Sequence, residues 1–134
     1  MAVSPGHAFT IGALWLACCD VRIGEQGNFK YSMSEVALGV SLSAWPLALL
    51  KARLSPQQLI PAALHSRRYN PQQALEAGFI DQLVPEGQGL ATTLVVAADL
   101  AKLSSQAYGL TKQQMRKQDL DIMATDLGAA ILEA

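Results

Sequence analysis

Gly6-His7-Ala8-Phe9-Thr10-Ile11-Gly12-Ala13 is the stretch whose reading decides the fold. Two glycines bracket a short turn, and an almost unbroken apolar run follows it through Cys19. The pattern predicts a loop that delivers the backbone into a helix over residues 11–19. That helix is apolar nearly all round, which predicts burial on every side. The first N–H groups of a helix lack intrahelical partners and carry the positive end of its dipole. If the turn leaves the N–H of Ile11 or Gly12 facing a cleft, it can stabilise negative charge developing on a carbonyl oxygen. By itself such a turn is more often structural than catalytic.

Outward from this turn, residues 1–3 read as the end of a short strand, and residues 21–23 and 29–31 as two more. Residues 47–54 read as a helix with Pro46 in its first turn. Ser55-Pro56 opens another to about His65, with Ser55 as N-cap. Asn70-Pro71 repeats that grammar for residues 72–77, and Gly78 is a natural stop. Residues 79–84 alternate enough for a strand, and residues 89–103 and 110–132 read as two longer helices. Strands come early and helices late, so the class is α/β or α+β with a helical C-terminal part.

The sequence has 134 residues, one domain's worth. Hydrophobic residues make up 51% and charged residues 16%, against a usual charged share of about 25%. With 10 basic and 11 acidic residues, the net charge is −1. A strongly basic nucleic-acid binder, an acidic tail and general disorder are excluded. So few charges imply apolar surface covered by other subunits or by a partner segment. Cys18 and Cys19 are adjacent and cannot staple distant segments to each other. Buried reduced thiols in a cytoplasmic protein are the expectation. Two histidines are too few for a zinc site, and no metal is expected. Residues 8–19 look like the core of a signal peptide, but residues 1–7 contain no Lys or Arg. The run also falls short of the ~20 residues that span a bilayer, so no membrane segment is expected.

A second feature lies at Phe29-Lys30-Tyr31-Ser32-Met33-Ser34-Glu35-Val36, closing with Gly39-Val40. Glu35 is a single carboxylate before Val36, Ala37 and Leu38. An apolar pocket disfavours the charged form of a carboxylate, which suits proton transfer. The structural alternative is a helix N-terminal Glu that compensates the dipole, with Ser34 as cap.

Three segments in order resemble the crotonase family of enoyl-CoA hydratases and isomerases. They are Gly6-His7-Ala8-x-x-x-Gly12-Ala13, Cys19-Asp20-Val21-Arg22-Ile23-Gly24, and Phe29-Lys30-x-x-x-Ser34-Glu35-Val36-Ala37-Leu38-Gly39. Tyr69-x-Pro71-x-x-Ala74-x-x-Ala77-Gly78-Phe79-Ile80-Asp81-x-Leu83-Val84-Pro85 and Leu110-Thr111-Lys112-x-x-Met115-Arg116 extend the likeness. It is strongest to the Δ3,Δ2-enoyl-CoA isomerase-like branch. The resemblance implies part of a β-β-α spiral fold, corresponding to the C-terminal half of a longer family member. Residues 1–85 would form a partial spiral core, and residues 86–134 the C-terminal helices used in oligomerisation.

The resemblance further implies an acyl-CoA thioester substrate, with coenzyme A as part of the substrate and no separate cofactor. It implies homo-oligomers, trimers or hexamers, and no nucleic-acid or membrane partner. The backbone N–H of Ile11 would be one of two oxyanion donors, and Glu35 the acid/base. The first glutamate of family hydratases falls at Leu14, which cannot move a proton. Hydration draws on a carboxylate pair, whereas moving a double bond by one carbon needs only one group. Isomerisation is therefore favoured over hydration. Gly12, Leu14, Trp15, Leu38 and Trp45 are expected to line the substrate pocket, with a plain core role as the alternative. The second oxyanion N–H and much of the CoA surface would lie in the other half. Losing one donor costs on the order of 10²–10³ in rate. The competing reading is therefore a catalytically inactive module that mainly self-associates. Lys112 and Arg116 are candidates for a CoA phosphate or for plain solvated charges, His7 for the turn or the core, and His65 for a solvated helix end.

Overall fold

The computed structural model describes residues 1–132. Residues 133 and 134, the end of the expected C-terminal helical region, lie outside the described residues. Three short strands, β1 (Ala2–Ser4), β3 (Arg22–Glu25) and β5 (Gln82–Val84), form a parallel sheet in the order β1-β3-β5. Two more, β2 (Ala8–Phe9) and β4 (Tyr31–Ser32), pair in parallel as a second small sheet. Parallel strands need long crossovers, here supplied by helix and loop between β1 and β3 and between β2 and β4.

The crossovers carry α1 (Ile11–Cys18), and a single 3₁₀ turn, Val36–Leu38, follows β4. Then come α2 (Ala44–Arg53), α3 (Pro56–Ala63) and α4 (Pro71–Ala77) before β5, with α5 (Gly89–Leu100) and α6 (Ser105–Leu132) after it. The class is α/β with a helical C-terminal part, one of the two classes the sequence allows. The core cluster joins Leu14 and Leu16 of α1 to Tyr31, Met33, Leu50 and Phe79.

Several local expectations change. The helix expected to be buried on every side is not: Ile11 and Trp15 are 56% and 71% exposed, while Ala13, Leu14, Leu16 and Ala17 are buried. Composition reports apolarity all round, but only the neighbours decide which face is covered. Cys18 is likewise exposed and Cys19 half-buried, so the vicinal thiols are not core residues. Ser55 makes no side-chain cap. Its N–H instead donates to the Ala77 carbonyl at 3.0 Å. The strand expected over residues 79–84 is confined to Gln82–Val84, because Phe79 and Ile80 turn into the core.

The α4 grammar holds in detail. Asn70 Oδ1 accepts from the Gln73 N–H at 2.8 Å, and Gln73 Oε1 accepts from the Asn70 N–H at 3.0 Å. This reciprocal capping box satisfies two otherwise orphaned donors. Gly78 then closes the helix at φ 94°, where a Cβ would lie 2.4 Å from the Arg53 carbonyl oxygen. Only glycine fits there.

Buried charge fixes the first sheet. Arg22, buried on β3, pairs with Asp81 through Nε at 2.9 Å and through a second, shorter contact. Its third nitrogen donates to the Gly78 carbonyl at 2.7 Å, and its backbone N–H donates to Asp81 at 2.9 Å. Asp81→Ala is expected to lower stability by about 2–3 kcal/mol, below the ~3–5 kcal/mol of a fully buried pair because Asp81 is partly solvated. Urea denaturation checks this against a surface control, Lys51→Ala, expected within ~0.5 kcal/mol of the parent.

Candidate functional site

The two segments singled out in the sequence meet through β2 and β4. Ala8 pairs with Tyr31 and Phe9 with Ser32. The Ala8 N–H donates to the Lys30 carbonyl at 3.0 Å, and the Thr10 N–H to the Ser32 carbonyl at 2.9 Å. The turn that opens α1 is thus fastened three residues upstream of Glu35. His7 belongs to this fastening and not to the core: it is exposed, and its Nδ1 accepts from the Lys30 N–H at 3.0 Å. Its ring stacks on Phe9 at 5.5 Å and meets the edge of Phe29 at 5.9 Å.

Thr10 enters α1 at φ 48°, ψ −115° and offers no side-chain cap. A β-branched residue at positive φ is strained. Such strain is of order 1–3 kcal/mol and clusters at functional sites. Ile11 is the first residue of the helix, so its N–H lies at the positive end of the dipole.

Glu35 does not begin a regular helix capped by Ser34. It flanks the single 3₁₀ turn, and its carbonyl accepts from the N–H groups of Leu38 at 3.0 Å and Val40 at 2.8 Å. The Ser34 hydroxyl turns instead to Ser32 Oγ at 3.3 Å. The Glu35 side chain is half-buried, and its Oε2 is buried with no hydrogen-bond partner among the described residues. Burying an unpaired carboxylate oxygen is costly. The apolar residues after it are open to solvent, with Leu38 70% exposed.

The remaining candidates are distributed. Gly12 and Trp15 line a cleft of about 720 Å³ together with β1 and His7; Ile11 and Glu35 are not among its lining residues. Leu14 lies in the core cluster. Trp45 packs partly against that core and lines a different cleft, of about 400 Å³, between Cys18, α2 and α6. Among the described residues, no group of three His, Cys, Asp or Glu is placed to hold a metal ion. No described helix is long and apolar enough to cross a membrane.

The sequence model of the enoyl-CoA hydratase/isomerase family matches residues 1–129. The chain belongs to that family. It is 28% identical over 121 residues to enoyl-CoA delta isomerase 1 of human mitochondria, covering 90% of this chain and 40% of that protein. It is 25% identical over 117 residues to 2,3-dehydroadipyl-CoA hydratase of Escherichia coli K12, covering 87% of this chain and 46% of that one. The crystal structure of human mitochondrial Δ3-Δ2-enoyl-CoA isomerase superposes with a TM-score of 0.90 at 28% identity, over 98% of this chain and 52% of that one. The chain thus spans less than half the length of these curated relatives, and its architecture is that of part of the crotonase fold.

A second polar cluster lies away from Glu35. Asp20 accepts from the Tyr108 hydroxyl at 2.8 Å and from Lys112 Nζ at 2.6 Å, and Arg53 lies 3.8 Å from it. Together with Met115 and Arg116 these residues line a cleft of about 490 Å³ against α6. Lys112, a candidate for a phosphate or for free solvation, is thus tied to Asp20, and Arg116 contacts Asp119 at 3.3 Å. Burial pushes the Asp20 carboxyl up. The hydrogen bonds from Lys112 and Tyr108, with the charges of Lys112 and Arg53, outweigh it and hold the group below the ordinary carboxylate range. A depressed folded value means the contact stabilises fully above the unfolded value, near pH ~4, and is lost as pH falls through the folded one. The protection factors of the Tyr108–Met115 amides, taken relative to the intrinsic exchange rate at each pH, are therefore expected to fall on acidification below that point. Asp20→Asn is expected to reproduce the loosening at neutral pH and to abolish the acid step, as a series of exchange measurements against pH would show. The effect is modest, because half-exposed Lys112 is screened by solvent.

Proposed function

We propose that this chain carries the acid/base half of an acyl-CoA thioester site, with Glu35 moving the proton and the Ile11 N–H facing the thioester oxygen. The single observation that carries the reading is the unpartnered, buried Oε2 of Glu35 on a turn three residues beyond the strand paired to the strained Thr10-Ile11 opening. Among reactions of this family, the proposal favours isomerisation of a 3-enoyl to a 2-enoyl thioester. Glu35 takes a proton from C2, the electrons shift into a dienolate whose oxygen charge meets the N–H, and the same carboxyl returns a proton at C4. No second carboxylate is required, and Leu14 supplies none. Similarity to proteins named as enoyl-CoA isomerases supports this choice.

Coenzyme A enters as part of the substrate in this reading, and no resident cofactor is needed. Exposed Trp15 and Leu38 suit apolar contact with an acyl chain or with a covering protomer, and self-association is part of the proposal. The openness of the residues after Glu35 favours one competing reading, a self-associating module without turnover.

A spectrophotometric assay with 3-enoyl-CoA separates the two. Turnover by the parent that falls by about 10²–10⁴ in Glu35→Gln is the expected result. Parent and variant that are equally inert establish the module reading, and a fully active Glu35→Gln removes Glu35 from the chemistry.

A further inference from the structure

We infer that Ser66 is a positioning residue for Glu35, holding the turn that carries this carboxylate from both of its ends. The inference rests on the reading of Glu35 as the acid/base group and names what aims it.

Ser66 lies in the loop between α3 and α4. Its carbonyl accepts from the Ser32 hydroxyl at 3.3 Å, and its own hydroxyl oxygen accepts from the Ala37 N–H at 3.1 Å. One contact lies three residues before Glu35 and the other two residues after it. The Ser34 hydroxyl adds to the chain by bonding Ser32 Oγ. The loop itself is held in place: Tyr69 and Tyr31 exchange two backbone hydrogen bonds at 2.9 Å, and the Arg67 N–H donates to the Pro61 carbonyl at 3.1 Å.

Backbone strain makes the arrangement more than loop packing. Ser66 sits at φ 49°, and the only other non-glycine residue at positive φ among the described residues is Thr10, at the opening of α1. Both bond to the same residue: Thr10 donates to the Ser32 carbonyl, and Ser66 accepts from the Ser32 hydroxyl. Ser32 is 0% exposed. A glycine would adopt this φ at no steric cost, but it has no hydroxyl for Ala37. Serine keeps the strained conformation and supplies the acceptor. Strain retained on two segments that converge on the Glu35 turn is the pattern expected of a site whose geometry is over-determined by its surroundings.

The test compares the full chain with Ser66→Gly and Ser66→Thr. Ser66→Gly relieves the strain and deletes the hydroxyl, so its melting temperature is expected to equal or exceed that of the parent. Exchange of the Ala37 amide, followed by NMR, is expected to speed up roughly tenfold, with side-chain averaging at Glu35. In the 3-enoyl-CoA assay, kcat is expected to fall about tenfold with KM changed by less than about twofold. Ser66→Thr keeps the hydroxyl, at a φ that Thr10 also adopts, and is expected to restore Ala37 protection. Ala37 exchange in Ser66→Gly that rises by less than about threefold overturns the inference. A rise shared by amides throughout the chain overturns it as well, since that marks a general structural role. Glu35→Gln is assayed alongside. If it retains turnover, or the parent has none, the acid/base reading fails, while Ala37 exchange and Glu35 averaging still decide whether Ser66 holds the turn.

Discussion

Ser32 has no exposure to water, and each of its polar groups must find a partner inside the protein. Its carbonyl takes the Thr10 N–H, and its hydroxyl takes the Ser66 carbonyl. These two bonds set the opening of α1, the end of β4 and the loop before α4 in one relation. Pairing of β2 with β4 is only two residues long, so it has little strength of its own. The side-chain bond and the Tyr31–Tyr69 bridge extend it on the other side. The geometry between the opening of α1 and the turn after β4 is therefore shared among this buried serine, the short strand pairing and the Tyr31–Tyr69 bridge.

The first sheet is organised by a different means. Arg22 gathers Asp81 and the end of α4, and the buried Glu25 carboxylate accepts from the N–H groups of Gly87 at 2.8 Å and Gly89 at 2.7 Å. The latter two contacts place a negative charge at the start of α5, where the helix dipole favours it. Arg53 performs the opposite task, donating to the Ala17 and Cys19 carbonyls at the end of α1. In a chain with 16% charged residues, several of those charges are thus spent on internal backbone groups. The outer face of α5 is left apolar, with Leu90, Leu94 and Val95 exposed.

Features with short-range causes were legible from the residues. The N-cap at Asn70 and the stop at Gly78 depend on groups a few positions apart and were read from them, whereas the same Ser-Pro spelling at Ser55 gave no side-chain cap. Glu35 and Ile11 could be nominated because each stands beside its own local signal, a lone carboxylate and a glycine-bracketed turn. Ser66 gave no such signal. Its partners Ser32 and Ala37 lie 34 and 29 positions away, and a serine before two arginines reads as an ordinary loop residue. Thr10 was equally silent, since a positive φ in a β-branched residue runs against every local preference.

The order of residues alone determined the class of the fold, the family and most of the helix boundaries, and it nominated Glu35 as the candidate carboxylate. Hydrophobic periodicity, capping chemistry and spaced glycines are properties of neighbouring residues, and they survive without a partner chain segment. Only the tertiary structure decided that Trp15 faces water, that His7 clasps Lys30 and not the core, and that β2 exists at all. Those outcomes depend on which distant surface comes to lie against each residue. Burial and parallel pairing are shared between two places in the chain, and neither place carries the information by itself.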